Sequence, residues 1–376
     1  MREGWEIKAF DACIEKRKAP TKLLSSSYQE KGLYPIVSQE KDLISGYWDN
    51  PDDLFVHRKP VVVFGDHTMV VKYIDFDFVV GADGVKILEP KEFLLPKYFF
   101  YWVSSVHIKS RGYARHFRYL REASVPIPSL PEQQRIVDIL DRGFAKIDAL
   151  KANAEKSLQA AKNLFQATLK KELGGKTKDL ATLLSICQSI VDCPHSTPIK
   201  SAEKTNFPCI RTSELKAGRI SWATMQYVSE DEYRKRITRL QPQEGDIVYG
   251  REGTIGDAVM LPTGYHFCLG QRTMLFRPNR SLIDPKYLLY CVISPFVYNQ
   301  AMSKNTGCGV AHVNVADVKQ FLIPVPEQID EQRRIVSCLD DFNDKCNALQ
   351  ENYQKTLTLC DDLKQSLLRK AFNGEL

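Results

Sequence analysis

Residues 132–175 return as residues 331–374. A shift of 199 positions lays Glu132 on Glu331 and runs without a gap to Gly175 on Gly374. Identical pairs along it include Arg135/Arg334, Ile136/Ile335, Leu140/Leu339, Asp141/Asp340, Leu150/Leu349, Leu164/Leu363, Gln166/Gln365 and Leu169/Leu368. An ungapped match of this length marks a duplication. A unit of about 190 residues is too long for a solenoid repeat, so the chain carries two copies of a domain plus an appendage. Each appendage follows a Pro-rich lead-in, VPIPSLPEQQRIV at 125–137 and IPVPEQIDEQRRIV at 323–336.

The appendages read as long helices. Heptad a and d positions hold Ile136, Leu140, Ile147, Leu150, Ala154, Ala161 and Leu164 in the first copy. In the second they hold Ile335, Leu339, Phe342, Cys346, Leu349, Tyr353, Cys360, Leu363 and Leu367. Both copies keep one frame, the pattern of a coiled-coil seam. Proline is tolerated in the first helical turn, and Gly174-Gly175 and Asn373-Gly374 are natural stops. Some 40 residues per helix span about 60 Å at 1.5 Å per residue. Gly143, Ser157 and Thr356 interrupt the seam at d, and Phe144, Leu158, Phe165 and Leu357 lie beside it. Those four either receive further helices from a partner or thicken one apolar stripe.

Two β-rich, mixed α+β heads precede the helices. The expected division is head 1–130, helix 131–175, head 176–328 and helix 329–376. Strands are expected at 60–64, 76–80 and 85–88, and again at 207–210, 246–249 and 273–276, separated by Gly and Asp turns. The heads share a faint order. Tyr34-Pro35-Ile36-Val37 parallels Phe207-Pro208-Cys209-Ile210, Gly65-Asp66 parallels Gly245-Asp246, and the stretch 96–101 parallels 285–290. Similar spacers under divergent heads suggest two readers of different targets at a fixed separation.

Bulk composition narrows the class. With 376 residues, 43% hydrophobic and 26% charged, the chain is an ordinary globular protein of two or three domains. It has no run of eighteen apolar residues, so no membrane span is expected. The first residues lack the apolar core of a signal peptide, which points to the cytoplasm and to ten reduced cysteines. A net charge of +6 and a pI near 8.6 suit a polyanionic partner without requiring one.

The twice-present lead-in P-x-P-x-L-P-E-Q-x-R-I carries a family resemblance. So do the strings at 192–198 (DCPHSTP), 251–256 (REGTIG) and 270–273 (GQRT), with 65–68 (GDHT) and 81–85 (GADGV) in the first head. The second lead-in departs from the pattern, with Glu327-Gln328-Ile329-Asp330 in place of Pro-Leu-Pro. Over its whole length the chain resembles the specificity subunit of Type I restriction–modification systems. That resemblance implies two target recognition domains, each reading half of a bipartite site in double-stranded DNA. It also implies helices paired antiparallel that set the gap between the half-sites. The subunit itself would have no catalysis and no cofactor. Two modification subunits would methylate adenine and two restriction subunits would translocate and cut.

Candidate DNA contacts follow from charge and aromatic content. Residues 107–121, HIKSRGYARHFRYLR, hold five Lys/Arg, two His and no acid. Arg111, Arg115 and Arg118 fall at helical i, i+4, i+7, with His116 and Arg121 beside them. Arginine suits guanine edges and phosphates through its fork, while a merely solvated helix face would read the same way. His67 and Lys72 are further candidates in the first head. In the second head Arg272, Arg277 and Arg280 read as an acid-free cluster, with Arg251 in a Gly-rich loop, His195 in the DCPHSTP string, and Asn305 and His312 on the loop before the second Pro-rich lead-in. Asn314 reads either as an adenine contact or as the N-cap of a short helix through Val318.

Three patterns imitate other chemistry. Pro51-Asp52 with Glu89-Pro90-Lys91 resembles a nuclease motif of the PD…ExK type, and 49–52 the start of a methyltransferase Asn-Pro-Pro-Tyr motif without its second proline and aromatic. Cys193-x-His195 and His266-x-Cys268 lack the spacing of a zinc knuckle, so no metal is expected. A DNA reader within a larger assembly is therefore the leading expectation. A self-contained nuclease with duplicated DNA-binding domains is the alternative, and an adaptor without DNA affinity is a third.

Overall fold

Strand Val61–Gly65 is buried on both faces, and its alternation divides the interior of the first head. Val62 and Phe64 face a core shared with Tyr98, Phe99 and Trp102, whereas Val61 and Val63 face a second core with Val37, Phe78 and Val80. Strand Ile247–Gly250 repeats this plan in the second head. Ile247 and Tyr249 join Phe276 and Tyr287, while Val248 joins Val259, Ile210 and Leu275. The computed structural model describes residues 4–17, 20–109, 112, 114–174, 179–305 and 310–376.

The sheets match in kind. Val61–Gly65 lies antiparallel between Val71–Ile74 and Val85–Leu88. Ile247–Gly250 lies antiparallel between Ala258–Met260 and Thr273–Pro278, and Cys187–Asp192 adds an outer strand. In both heads the strand with a central Pro-containing start pairs parallel with a later one: Tyr34–Val37 with Phe78–Val80, and Pro208–Ile210 with Cys268–Leu269. An antiparallel pair closes each head, Glu6–Ala9 with Ser124–Ile127 and Leu180–Thr182 with Leu322–Pro324.

The long helices run Leu130–Leu173 and Ile329–Asn373. The compact units cut across both of them. One unit is Met1–Glu155 with Gln354–Leu376, the other Lys156–Tyr353. The reason is burial. In the first unit Ile136 and Leu140 share the head's core with Leu368 and Ala371 from the end of the second helix. In the second unit Phe165, Leu169 and Leu173 share a core with Leu339 and Cys346. The pairing within the first unit is antiparallel. Arg135 donates to the Leu376 carbonyl at 2.6 Å, and Lys151 pairs with Asp361 at 2.6 Å, so rising numbers meet falling ones.

The heptad row centred on Leu140, Ile147, Ala154 and Ala161 is buried, as are Leu339, Cys346 and Cys360. In the d row Ile136 is buried and Ile335 and Phe342 pack on a core, whereas Leu150, Leu164, Leu349 and Leu363 are exposed. The seam therefore narrows to one row at those four leucines, where Gly143 and Ser157 leave neighbouring d positions without knobs.

The lead-ins lock each head to its helix by the same bonds. Gln133 is fully buried. Its carboxamide accepts from Leu95 N (2.8 Å) and donates to the carbonyls of Phe93 (2.8 Å) and Pro128 (2.9 Å). Gln332 accepts from Asp284 N (2.8 Å) and donates to Leu282 and Pro326 (3.1 and 3.0 Å). Helices Pro96–Ser105 and Pro285–Val292 begin on proline at a position with no helical N–H to lose. Their tyrosines reach back, Tyr98 to the Pro126 carbonyl and Tyr287 to that of Pro324, each at 2.9 Å.

Candidate nucleic-acid interface

Three loops meet where the two-sided strand ends in each head, and backbone bonds hold them in the same arrangement. In the first head Asp66 N donates to Gly84 O (2.8 Å), and Asp66 O accepts from His116 N (2.8 Å). In the second, Arg251 N donates to Arg272 O (3.2 Å), and Arg251 O accepts from Val313 N (3.0 Å). Strand register agrees, with Gly65 opposite Val85 and Gly250 opposite Thr273. Thus Gly65-Asp66 corresponds to Gly250-Arg251. The sequence pairing with Gly245-Asp246 is corrected, because Gly245-Asp246 precedes its strand whereas Gly65 ends one. The glycine has a steric reason. A Cβ on Gly65 would lie 2.3 Å from Thr68 Oγ1, and one on Gly250 would lie 2.7 Å from Thr254 O.

The shared scaffold carries different side chains. Asp66 is buried beside Lys86 (3.8 Å) and accepts from Phe117 N at 2.8 Å. Lys86 also sits over the Phe117 ring at 5.5 Å. A cleft of about 330 Å³ opens there, lined by Lys16, Arg17, Lys22 and Lys86 over Phe55 and Phe117. Burial, aided by Lys86, holds the Lys22 ammonium below its ordinary pKa, and its Nζ donates to Val85 O at 3.1 Å. In the second head the corresponding place holds Arg251, bound by two bonds (3.0 and 3.2 Å) to Asp192. Arg251 Nη1 also meets His312 Nδ1 (3.3 Å), whose Nε2 faces Asn314 Oδ1 (3.3 Å).

Among the described residues of the basic stretch 107–121, only Phe117–Arg121 is helical. The helical spacing of its arginines therefore does not hold: Gly112 is left-handed (φ +69°), and Ala114 N turns back to Gly112 O. Arg111 lies outside the described residues. Arg115, Arg118 and Arg121 are exposed. Arg118 stacks on Tyr119 at 4.6 Å, and Arg121 is bound to Asp11, whose carboxyl it holds below the usual range. His116 is fully buried with Nδ1 at 3.1 Å from Asp66 O, so it builds the loop junction and does not face outward. His67 is half-buried beside Gly84 and takes Gln39 Oε1 on its backbone N–H at 3.2 Å. Lys72 is a correction: it is buried, with its ammonium on the carbonyls of Ser38 (2.9 Å) and Asp42.

The second head revises another grouping. Arg272, Arg277 and Arg280 do not cluster. Arg272 precedes strand Thr273–Pro278 and pairs with Glu252 at 3.1 Å. Arg277, toward the strand's far end, forks onto Asp246 (3.0 and 2.7 Å) and Gln241 O, and Arg280 donates to Glu244 O. His195 is 70% exposed, 3.5 Å from Asp192. Asn305 Oδ1 accepts from His312 N at 2.8 Å, which ties it into the loop. Asn314 is the N-cap of Val315–Lys319, although its side chain turns to His312 and Asp317 (3.4 Å). Sequence reading missed Glu252, Gln271, Arg236 and Arg239. Glu252 and Gln271 had a signal, since they stand in the strings REGTIG and GQRT.

The four apolar candidates beside the seam also part ways. Phe165 is buried against Tyr290 at 6.1 Å, and so is withdrawn as a docking residue. Phe144 is half-buried between Tyr101 (5.3 Å) and Lys364 (5.1 Å). Leu158 and Leu357 are half-buried. Glu89 of the nuclease-like pattern is buried in an ion pair with Arg17, and Cys268 lies opposite Cys209. Among the described residues no three His, Cys, Asp or Glu side chains converge as a metal set.

A family model described as the Type I restriction modification DNA specificity domain matches residues 2–160 and 194–359. The chain is 25% identical over 369 residues to the Escherichia coli EcoR124I/EcoR124II specificity subunit, covering 92% of this chain and 89% of that protein. It is 24% identical to the E. coli K12 EcoKI specificity subunit, covering 100% and 90%. Among solved structures, a chain from a type I R-M system superposes with a TM-score of 0.70 at 16% identity, covering 100% and 99%. The HsdS subunit from Thermoanaerobacter tengcongensis superposes at 0.53 and 17% identity, covering 100% and 98%. These two likenesses concern the fold.

Proposed function

The chain belongs to the Type I restriction–modification DNA specificity family, and from that premise we propose that it is the DNA-reading subunit of such a system. Each head reads one half of a bipartite site in duplex DNA, and the two long helices set the gap. One observation carries the reading. The same three loops recur in both heads while their side chains differ: Asp66 against Arg251, Gly84 against Arg272, Arg115 against His312. A shared scaffold with divergent tips is what two half-sites of different sequence require. Exposed Arg115, Arg118 and His195 would contact DNA, with phosphate contacts fixing register and base contacts fixing sequence.

The chain serves two modification and two restriction subunits in the cytoplasm and performs no catalysis itself. The exposed leucine row, Leu150 and Leu363 in one unit and Leu164 and Leu349 in the other, offers helix-sized apolar stripes for the modification subunits. Among the described residues no helix is long and apolar enough to cross a membrane. Two measurements test the reading. Genomic N6-methyladenine should fall in a split motif that vanishes when this chain is deleted. The purified chain with Mg²⁺ should leave DNA uncut, and cleavage without other subunits would restore the nuclease alternative.

A further inference from the structure

Arg272 stands where the first head has a glycine. Gly84 has φ +72° and Arg272 φ +67°, both in the left-handed region. Each precedes the residue paired with the strand-ending glycine, and each offers its carbonyl to the next residue along that strand's exit. The turn thus demands a left-handed residue, and glycine meets that demand without strain. A side chain there is strained, and such outliers gather at functional sites.

The strain places one guanidinium. The Arg272 side chain is 54% exposed, and its Nε lies 3.1 Å from Glu252 Oε1, while among the described residues its terminal nitrogens have no partner. Neighbouring arginines are committed inward. Arg251 holds Asp192, Arg236 donates to the carbonyls of Leu269 and Ser196, and Arg239 to those of Asp192 and Cys193. Gln271 donates to His195 O at 2.6 Å. The loops around Arg272 are therefore held from behind. A phosphate clamp needs only charge, which a lysine on relaxed backbone supplies. A planar fork paired through Nε, with its two terminal nitrogens turned away from Glu252, suits the paired acceptors of a guanine edge.

Resting on the function proposed above, we propose that Arg272 is a specificity-determining residue of the second head, its fork reading guanine O6 and N7. Glu252 is the positioning residue that aims it. The first head, with Gly84 at this turn, reads its half-site without a side chain from that position.

The test maps genomic N6-methyladenine in cells carrying the wild-type chain, R272G, R272K or E252Q, and compares melting temperatures of the purified chains. A wild-type map without any split motif would sink the function and the inference together. Given a split motif, R272G should melt no lower than wild type, because it relieves strain. It should keep one half-site and the gap, and it should lose one guanine in the other half-site. Discrimination there should fall by about fivefold or more. R272K should lose the same guanine, since lysine lacks the fork. E252Q should weaken that guanine's preference and leave every other position alone. The proposal is overturned by an unchanged second half-site in R272G, by a guanine retained in R272K, or by a uniform loss at all sites. A lower melting temperature for R272G would equally overturn it.

Discussion

Tyr101 donates its phenol hydrogen bond to Asp141, joining the first head's helix to the long helix that follows. Lys97 completes the contact, 2.8 Å from the other oxygen of Asp141. Tyr290 and Lys286 make the same two contacts to Asp340, with Lys286 at 2.7 Å. Burial, with the carboxylate next, pushes both phenols far above their ordinary pKa, so they stay protonated donors. Tyr101→Phe and Tyr290→Phe should each destabilise the chain by about 1 kcal/mol. The pairs sit in different compact units, so the double variant should add to within about 0.5 kcal/mol in urea unfolding. No loss in either variant would mean that Lys97 and Lys286 alone satisfy the carboxylates.

Gln133 and Gln332 are the deeper half of the same junctions. Gln133→Ala would strand the Leu95 N–H and two carbonyls in a buried site, at a cost of about 2–3 kcal/mol. Gln133→Glu should be worse, because a carboxylate cannot donate to the Phe93 and Pro128 carbonyls. Equilibrium unfolding of the three chains, and of the Gln332 counterparts, measures the order.

Exchanging residues 1–130 for the corresponding head of a relative should change one half-site and leave the other intact. The physical basis is that each three-loop junction is closed by bonds inside its own head, from Asp66 in one and Arg251 in the other. Methylation mapping decides it, and a change in both half-sites would end the modular picture.

DNA affinity should fall with salt, since each Lys or Arg on a phosphate releases counterions. Arg118→Ala and Arg115→Ala remove exposed charges beside the first head's junction. Loss of a phosphate contact should lower affinity evenly across sequences and reduce the salt slope by about 1. Loss of a base contact should instead relax one position at a cost of about 1–3 kcal/mol. Titrations at several salt concentrations on specific and scrambled duplexes separate the two. Lys72→Met serves as the contrast: a buried ammonium on two carbonyls should affect stability far more than the salt slope.

Leu150→Glu and Leu363→Glu should fold as wild type, because both side chains are exposed, yet weaken assembly with modification subunits. Sedimentation of the mixed subunits reads this out. Full assembly by both variants would place docking elsewhere.

The duplication, the two long helices and the α+β heads were legible in the string of residues, through heptad spacing, proline at helix starts and apolar runs bounded by turn residues. The family was legible through the resemblance of the lead-ins and loop strings. The sequence also marked the Pro-rich lead-ins without revealing their purpose, since nothing in the string says that Gln133 and Asp141 bond backward into the head. Which charges face outward depends on how distant segments pack. Lys72 and Arg272 are both cations near turns, yet one is buried on carbonyls and the other stands half in solvent. The correspondence of Gly84 with Arg272 was equally hidden. GADGV and GQRT differ in length, and the match lies in a backbone angle and a strand register, which arise only when distant segments pair.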